Sequence, residues 1–421
     1  MQSRKPTFLL ILLMLLCSGG VAAEDAGTPK AIDVMVIDGH NDLPWQYRKR
    51  FNNRLQPLDI ANDQRDLDAP LHTDIPRLRE GGVGAQFWSV YVPIAAYGGA
   101  PGDAALVLEQ MDLVRRLVER YPDDLELAFT AEDIFRAQSQ GRIASLMGIE
   151  GGHAIEDSLG TLRSLYAAGA RYMTLTHSKS LRWADSATGE ARHGGLTDFG
   201  RSVVQEMNWL GMLVDLSHVT AAAMHDVLDV AAAPVIFSHS SARALVDHPR
   251  NVPDDVLKRL PANGGVVMVT FVTSYLSQTR REWARRQSGE LARLEAMYPF
   301  EKDRREKMMD AWRQGDPDPG ATLADAADHI DHIRRVAGIE HIGLGGDFDG
   351  ISTVVKGLED VSTYPALFAE LRRRGYRDSD IAAVAGGNVL RVIQASEAVA
   401  HTLQQERLAA DPPQRPDAAE G

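Results

Sequence analysis

The chain alternates short apolar runs with longer segments of helical spacing. The apolar runs are those ending near Asp38, Gly84–Val92, Arg142–Ile149, Arg171–Thr176, Met212–Leu216, Pro234–Phe237, Gly265–Phe271 and Ile342–Gly346. Each is short enough for a buried strand. The segments between carry helix signals. Thr130 and Thr197 sit where N-caps belong, Gly211 where a helix stops, and the helical run Ala104–Tyr121 ends before Pro122. Strand then helix, eight times over, predicts an α/β fold: a (β/α)8 TIM-type barrel of parallel strands. A charged stretch from Ser277 to Thr322, with Trp283, Met308 and Trp312, reads as inserted helices between strands 7 and 8. The segment Arg48–Leu71 reads as an irregular excursion, Ser379–Ala398 as a closing helix, and residues 401–421 as a polar C-terminal tail.

In such a barrel, chemistry belongs at the C-terminal ends of the strands. Here those ends carry His40 and Asp42, Glu150, His177, His218, His239 and Asp347. In extended chain His40 and Asp42 lie on one face, as every second residue does. A single histidine at a strand end is more often a hydrogen-bonded structural residue. Six strands converging with imidazoles and carboxylates argue for metal. Without thiolates this donor set suits zinc first, then manganese, cobalt or iron. The number of donors predicts two ions, one on His40 and Asp42, the other on His218 and His239. Glu150 is the carboxylate placed to bridge them, together with a shared hydroxide as nucleophile.

Composition narrows the setting. Of 421 residues, 44% are hydrophobic and 24% charged, enough for a real core. A formal net charge of −13 argues against nucleic acid as a partner. Residues 1–23 have the form of an export signal: Arg4 and Lys5, the apolar run Phe8–Cys17, then small residues through Ala23. Retention as an N-terminal anchor, or lipidation at Cys17, is the alternative reading. Residues 24–30 form a linker, and 31–400 one hydrolase domain. The expectation is a periplasmic or secreted protein with no stable membrane anchor after signal removal. Cys17 is the single cysteine, so a mature chain has no thiol and no disulfide.

Seven ordered motifs bear a family resemblance: Asp38-Gly39-His40-Asn41-Asp42, Gly148-Ile149-Glu150-Gly151-Gly152-His153, Leu175-Thr176-His177-Ser178, Asp215-Leu216-Ser217-His218, Phe237-Ser238-His239-Ser240-Ser241-Ala242-Arg243, Arg250-Asn251-Val252-Pro253-Asp254-Asp255 and Gly345-Gly346-Asp347-Phe348-Asp349-Gly350. Together they resemble the membrane (renal) dipeptidases, dinuclear zinc peptidases of the amidohydrolase superfamily. The resemblance implies a dipeptide substrate and two Zn2+ per chain. His40, Asp42 and Glu150 would hold one ion, and Glu150, His218 and His239 the other. It further implies substrate binding by His177 and Arg250, and catalysis by Asp347 with His177. Asp349 is the local competitor of Asp347, and His153 a supporting residue. A homodimer is also implied, non-covalent here for want of cysteine. The polar tail departs from the animal members, which are lipid-anchored at a hydrophobic C-terminal signal, and this bears on membrane anchoring; the longer insertion departs from them too, and this leaves substrate range open. The alternative is another amidohydrolase-type reaction, on a β-lactam, an N-acyl amino acid or a lactone. A barrel kept only as a binding module would lack a ligand, and none is missing.

Overall fold

The structure, a computed structural model, describes residues 34–94 and 103–410. The export signal, the linker and the last eleven residues lie outside the described residues. Nine parallel strands form one sheet: β1 (Val36–Asn41), β2 (Val83–Ser89), β3 (Leu125–Leu127), β4 (Ile143–Glu150), β5 (Ala170–Thr174), β6 (Leu213–Asp215), β7 (Ile236–Ser240), β8 (Val266–Val269) and β9 (Ile342–Leu344). Their order is β2-β1-β9-β8-β7-β6-β5-β4-β3, and a further pairing of β2 with β4 closes the ring. Eight strands therefore make the expected (β/α)8 barrel. The additional β3 pairs with the start of β4, Leu125 to Ile143 through Leu127 to Ser145, ahead of where β5 joins.

Buried side chains on both faces explain why these strands read as apolar runs: β1, β4 and β7 are buried at every position. Ile37, Ala85, Phe87, Leu146, Tyr172, Ile236, Val266 and Met268 belong to the core, with Val389 and Val392 of the last helix. Local signals fix the surrounding helices. Thr130 caps Ala131–Ser139 in a reciprocal box with Asp133. Thr197 caps Asp198–Leu210, which Gly211 ends in the left-handed conformation.

Several boundaries differ from expectation. The closing helix begins at Asp378, passes through a π turn at Ala383–Gly387 and runs to Glu406. The assigned tail thus starts as helix, because Ala400 still packs into the protein. Between β7 and β8 stand two short helices, Asp254–Leu257 and Leu260–Asn263. The excursion at Arg48–Leu71 begins inside a helix, Leu43–Phe51, and Tyr364–Arg373 is a further helix. The insertion is helical as expected. Its two helices, Gln278–Met297 and Lys302–Gly315, lie between the seventh and eighth barrel strands, β8 and β9. They are joined by Trp283 against Trp312, ring centroids 5.6 Å apart, and by the Trp283 indole N–H donating to the Asp316 carbonyl. No helix among the described residues is long and apolar enough to cross a membrane.

Candidate metal centre

The strand ends deliver the expected side chains to one place. Glu150, the last residue of β4, is the hub. Its Oε1 lies 3.1 Å from His218 Nε2, 3.4 Å from His239 Nε2, 3.6 Å from His40 Nε2 and 3.8 Å from His177 Nε2. Asp42 Oδ2 is 3.3 Å from His40 Nε2. Three overlapping triads have metal-ligand spacing: His40, Glu150, His239; Glu150, His177, His218; and His40, Asp42, Asp347. Every metal-type residue singled out in the sequence is thus in the cluster. The grouping is more intimate than two separate pairs, since the His40 and His239 rings are only 3.9 Å apart. His177 sits within reach of Glu150 as well.

Backbone conformation aims several of these groups. His218 and Asp347 are non-glycine residues with φ of 70° and 60°, a left-handed conformation uncommon for residues with a side chain. The Asp347 amide donates to the His40 carbonyl at 3.1 Å, tying the loop after β9 to β1. At Gly350 a Cβ would run into the Asp42 and Asp347 carboxylates, so only glycine leaves them room.

Supporting hydrogen bonds orient the rings. His40 Nδ1 bonds to the Tyr172 hydroxyl at 2.8 Å, and His239 Nδ1 to Ser238 Oγ at 2.8 Å. Ser238 Oγ in turn donates to Asp215 at 2.6 Å, and Asp215 also takes Thr174 Oγ1 and the amides of Ser217 and Ser238. These partners leave Nε2 of both rings facing Glu150. Asp38 plays a similar part for the backbone, accepting from His40 N, Gly346 N and the Tyr364 hydroxyl. None of Tyr172, Ser238, Asp215 and Tyr364 was assigned a role from sequence. For Asp38 a signal existed: strand alternation puts it on the same face as His40.

The electrostatics are those of a cation site. Burial forces the His218 and His239 imidazoles well below their ordinary range, with Arg250 and neighbouring imidazoles adding to it. Burial, then Arg250, brings His177 down to about 4. Burial also opposes charge on His40, yet Glu150 and Asp42 outweigh it and raise that imidazole to about 10. The Glu150 and Asp347 carboxyls are pushed up, by burial first. His218 Nε2 and His239 Nε2 are 2.9 Å apart, and His40 Nε2 is buried without a hydrogen-bond partner. Lone pairs converging on a buried carboxylate, with no proton for each, fit a bound divalent cation.

Arg250 is buried beside this cluster, donating to the His239 carbonyl at 3.2 Å and Ser240 Oγ at 3.4 Å. The two residues left open by the sequence resolve differently. Asp349 turns its carboxylate to the His72 amide at 2.8 Å and joins none of the triads. His153 Nε2 bonds to the Val92 carbonyl at 3.0 Å, securing the loop after β2. Tyr91, from that loop, packs against His177 with centroids 4.8 Å apart and the ring planes tilted by 57°.

The chain is similar to known proteins in sequence and in fold. Residues 31–407 match the family model described as membrane dipeptidase, peptidase family M19. The chain is 41% identical over 382 residues to Dipeptidase verJ of Clonostachys rogersoniana, covering 89% of this chain and 87% of that one. It is 42% identical over 373 residues to Dipeptidase 3 of Mus musculus, covering 87% of this chain and 65% of that protein. Two solved structures share the fold at 24% identity. The probable dipeptidase PvdM from Pseudomonas aeruginosa has a TM-score of 0.73, with 87% of this chain and 96% of that one covered. A metallo peptidase from Rhodobacter sphaeroides, liganded with a phosphinate mimic of the dipeptide L-Ala-D-Ala, has a TM-score of 0.69, with 86% and 99% covered. The chain belongs to the membrane dipeptidase family, peptidase family M19, a family of metallo-dipeptidases.

Proposed function

We propose that this barrel hydrolyses free dipeptides, L-L and also L-D, with two zinc ions shared through Glu150. The observation that carries the reading is the convergence of four imidazole Nε2 atoms on Glu150 Oε1, with Arg250 buried alongside. His40, Asp42 and Glu150 would hold one ion, and Glu150, His218 and His239 the other. Bound there, the ions supply Lewis acidity toward the scissile carbonyl and bring the pKa of a water from about 16 to near 7.

The remaining steps belong to the chain. Arg250 offers a planar fork to the substrate's free carboxylate, fixing which end of the dipeptide enters. His177, kept neutral by burial and by Arg250, presents an N–H to the oxygen that gains charge as the carbonyl is attacked. Asp347, whose carboxyl burial raises, takes a proton from the water and returns it to the departing amine. A free amine taken at the metal site and a carboxylate taken by Arg250 would limit the substrate to two residues. The phosphinate dipeptide mimic held by the Rhodobacter sphaeroides relative supports an L-D substrate class.

The test is amino-acid release by zinc-loaded protein from L-L and L-D dipeptides, each with an amine-capped and a tripeptide control. Release from free dipeptides alone is expected. Release from capped substrates, β-lactams or lactones instead would move the assignment to another amidohydrolase reaction. The reading extends to export, on the Phe8–Cys17 run and the small residues after it, and to a non-covalent homodimer. Cell fractionation and light scattering of the mature chain test these two.

A further inference from the structure

One cavity stands apart from the metal cluster. It is a groove of about 660 Å³ between the first insertion helix, Gln278–Met297, and the loop that carries Arg250. Asp247, His248, Ser274, Arg281, Arg285 and Ser288 face it. Its size falls within the range of small-molecule sites.

The charges are unusual for a surface groove. The helix has five arginines, and three are matched: Arg280 to Asp318 at 2.7 Å, Arg286 to Asp316 at 2.9 Å and Arg293 to Glu290 at 2.6 Å. Arg281 and Arg285 have no ion-pair partner among the described residues, and these are the two that line the groove. Four positions apart, they project from the same side of the helix, where like charges repel. Asp247, the one carboxylate lining the groove, pairs with Arg243 at 2.9 Å and is held below its ordinary range by Arg243 first and by Arg281 as well. His248 contributes no compensating negative charge, and is held neutral by burial and by Arg281, Arg250 and Arg243. Arg281 and Arg285 thus face one carboxylate already paired elsewhere; the cationic excess in a concave site calls for an anion, and planar forks favour a carboxylate.

The groove also touches the catalytic machinery. His248 Nδ1 accepts from the Arg250 amide at 3.2 Å, and the His248 ring packs on Tyr275 at 4.3 Å. The Arg250 guanidinium lies 5.5 Å from the same Tyr275 ring. One ring therefore separates the groove from the arginine assigned to the substrate carboxylate.

We propose that this groove is a second carboxylate-binding site, with Arg281 and Arg285 as its cationic partners and His248 as its link to Arg250. The ligand is a small organic carboxylate, either the acidic side chain of a dipeptide's second residue or a free carboxylate such as a released amino acid. The link to turnover rests on the dipeptidase reading; the binding itself does not.

The test compares metal-loaded parent with the double variant Arg281→Gln/Arg285→Gln, both changes being on the groove side of the helix. Calorimetric titration with glutarate at fixed ionic strength is expected to lose a binding event in the variant, or to weaken it by about tenfold or more. Hydrolysis then separates the sources. A rise in KM confined to dipeptides with Asp or Glu in second place assigns the site to the substrate's own side chain. Glutarate altering KM for a neutral dipeptide in parent but not in variant assigns it to a free carboxylate. Identical isotherms and identical KM ratios in the two proteins overturn the proposal. If parent hydrolyses no dipeptide at all, the functional reading falls and the isotherms still decide the groove.

Discussion

Asp38 and Tyr364 lie 326 positions apart in sequence and share a fully buried 2.7 Å hydrogen bond. The same carboxylate accepts the amides of His40 and Gly346, so one side chain fixes a ligand-bearing strand end against the loop that presents Asp347. Removing the Tyr364 hydroxyl leaves Asp38 with backbone donors only. Tyr364→Phe is expected to lower stability by about 1–2 kcal/mol and kcat by about tenfold, with KM nearly unchanged. Urea unfolding and steady-state kinetics check this; parental kcat in the variant would detach Tyr364 from the site.

Tyr172 supports His40 from the side of the barrel. A Cβ at Gly148 would collide with the Tyr172 ring, so the ring has one place to sit. Tyr172→Phe keeps the packing and deletes the 2.8 Å bond to His40 Nδ1. Metal affinity is expected to fall about 10- to 100-fold. Chelator competition measures it, and equal affinities would show that packing alone orients His40.

Much of this was legible in the chain. Apolar runs followed by His, Asp or Glu marked the barrel strands and their functional ends, since burial on both faces keeps most strand positions apolar. Strand β3 escaped notice because it is three residues long with Glu126 at its middle. The helix Leu43–Phe51 escaped because it buries only Leu43, Pro44 and Tyr47 and is otherwise polar. Tyr172 and Ser238 read as ordinary strand residues; the partners His40 of Tyr172 and Asp215 of Ser238 come from other strands, and one-dimensional spacing carries no sign of them.

Arg250 should separate binding from chemistry. Arg250→Lys keeps a charge but loses the fork, and is expected to raise KM for free dipeptides about 10- to 100-fold while kcat changes much less. Steady-state kinetics on one L-L dipeptide suffice. Unchanged KM would remove Arg250 from substrate recognition.

His329 gives stability a pH dependence away from the metal. It is buried, accepting from the Ala242 amide at Nδ1 and facing the Leu276 carbonyl at Nε2, and burial lowers it from 6.5 to about 4. Between those values the unfolded chain binds a proton that the native chain refuses. Its contribution, about 3 kcal/mol, is therefore full above pH 6.5 and is lost as pH falls toward 4. Unfolding free energy should drop more steeply over that window in parent than in His329→Gln. Parallel slopes would contradict it.

The central claim is that Glu150 is shared by two ions. Metal content of zinc-loaded, desalted protein, read alongside activity, tests it most directly. Parent is expected to hold two zinc ions per chain. Glu150→Gln, which keeps the shape and removes the charge, is expected to lose metal and hydrolysis together. A Glu150→Gln protein that still holds two zinc ions would contradict the account.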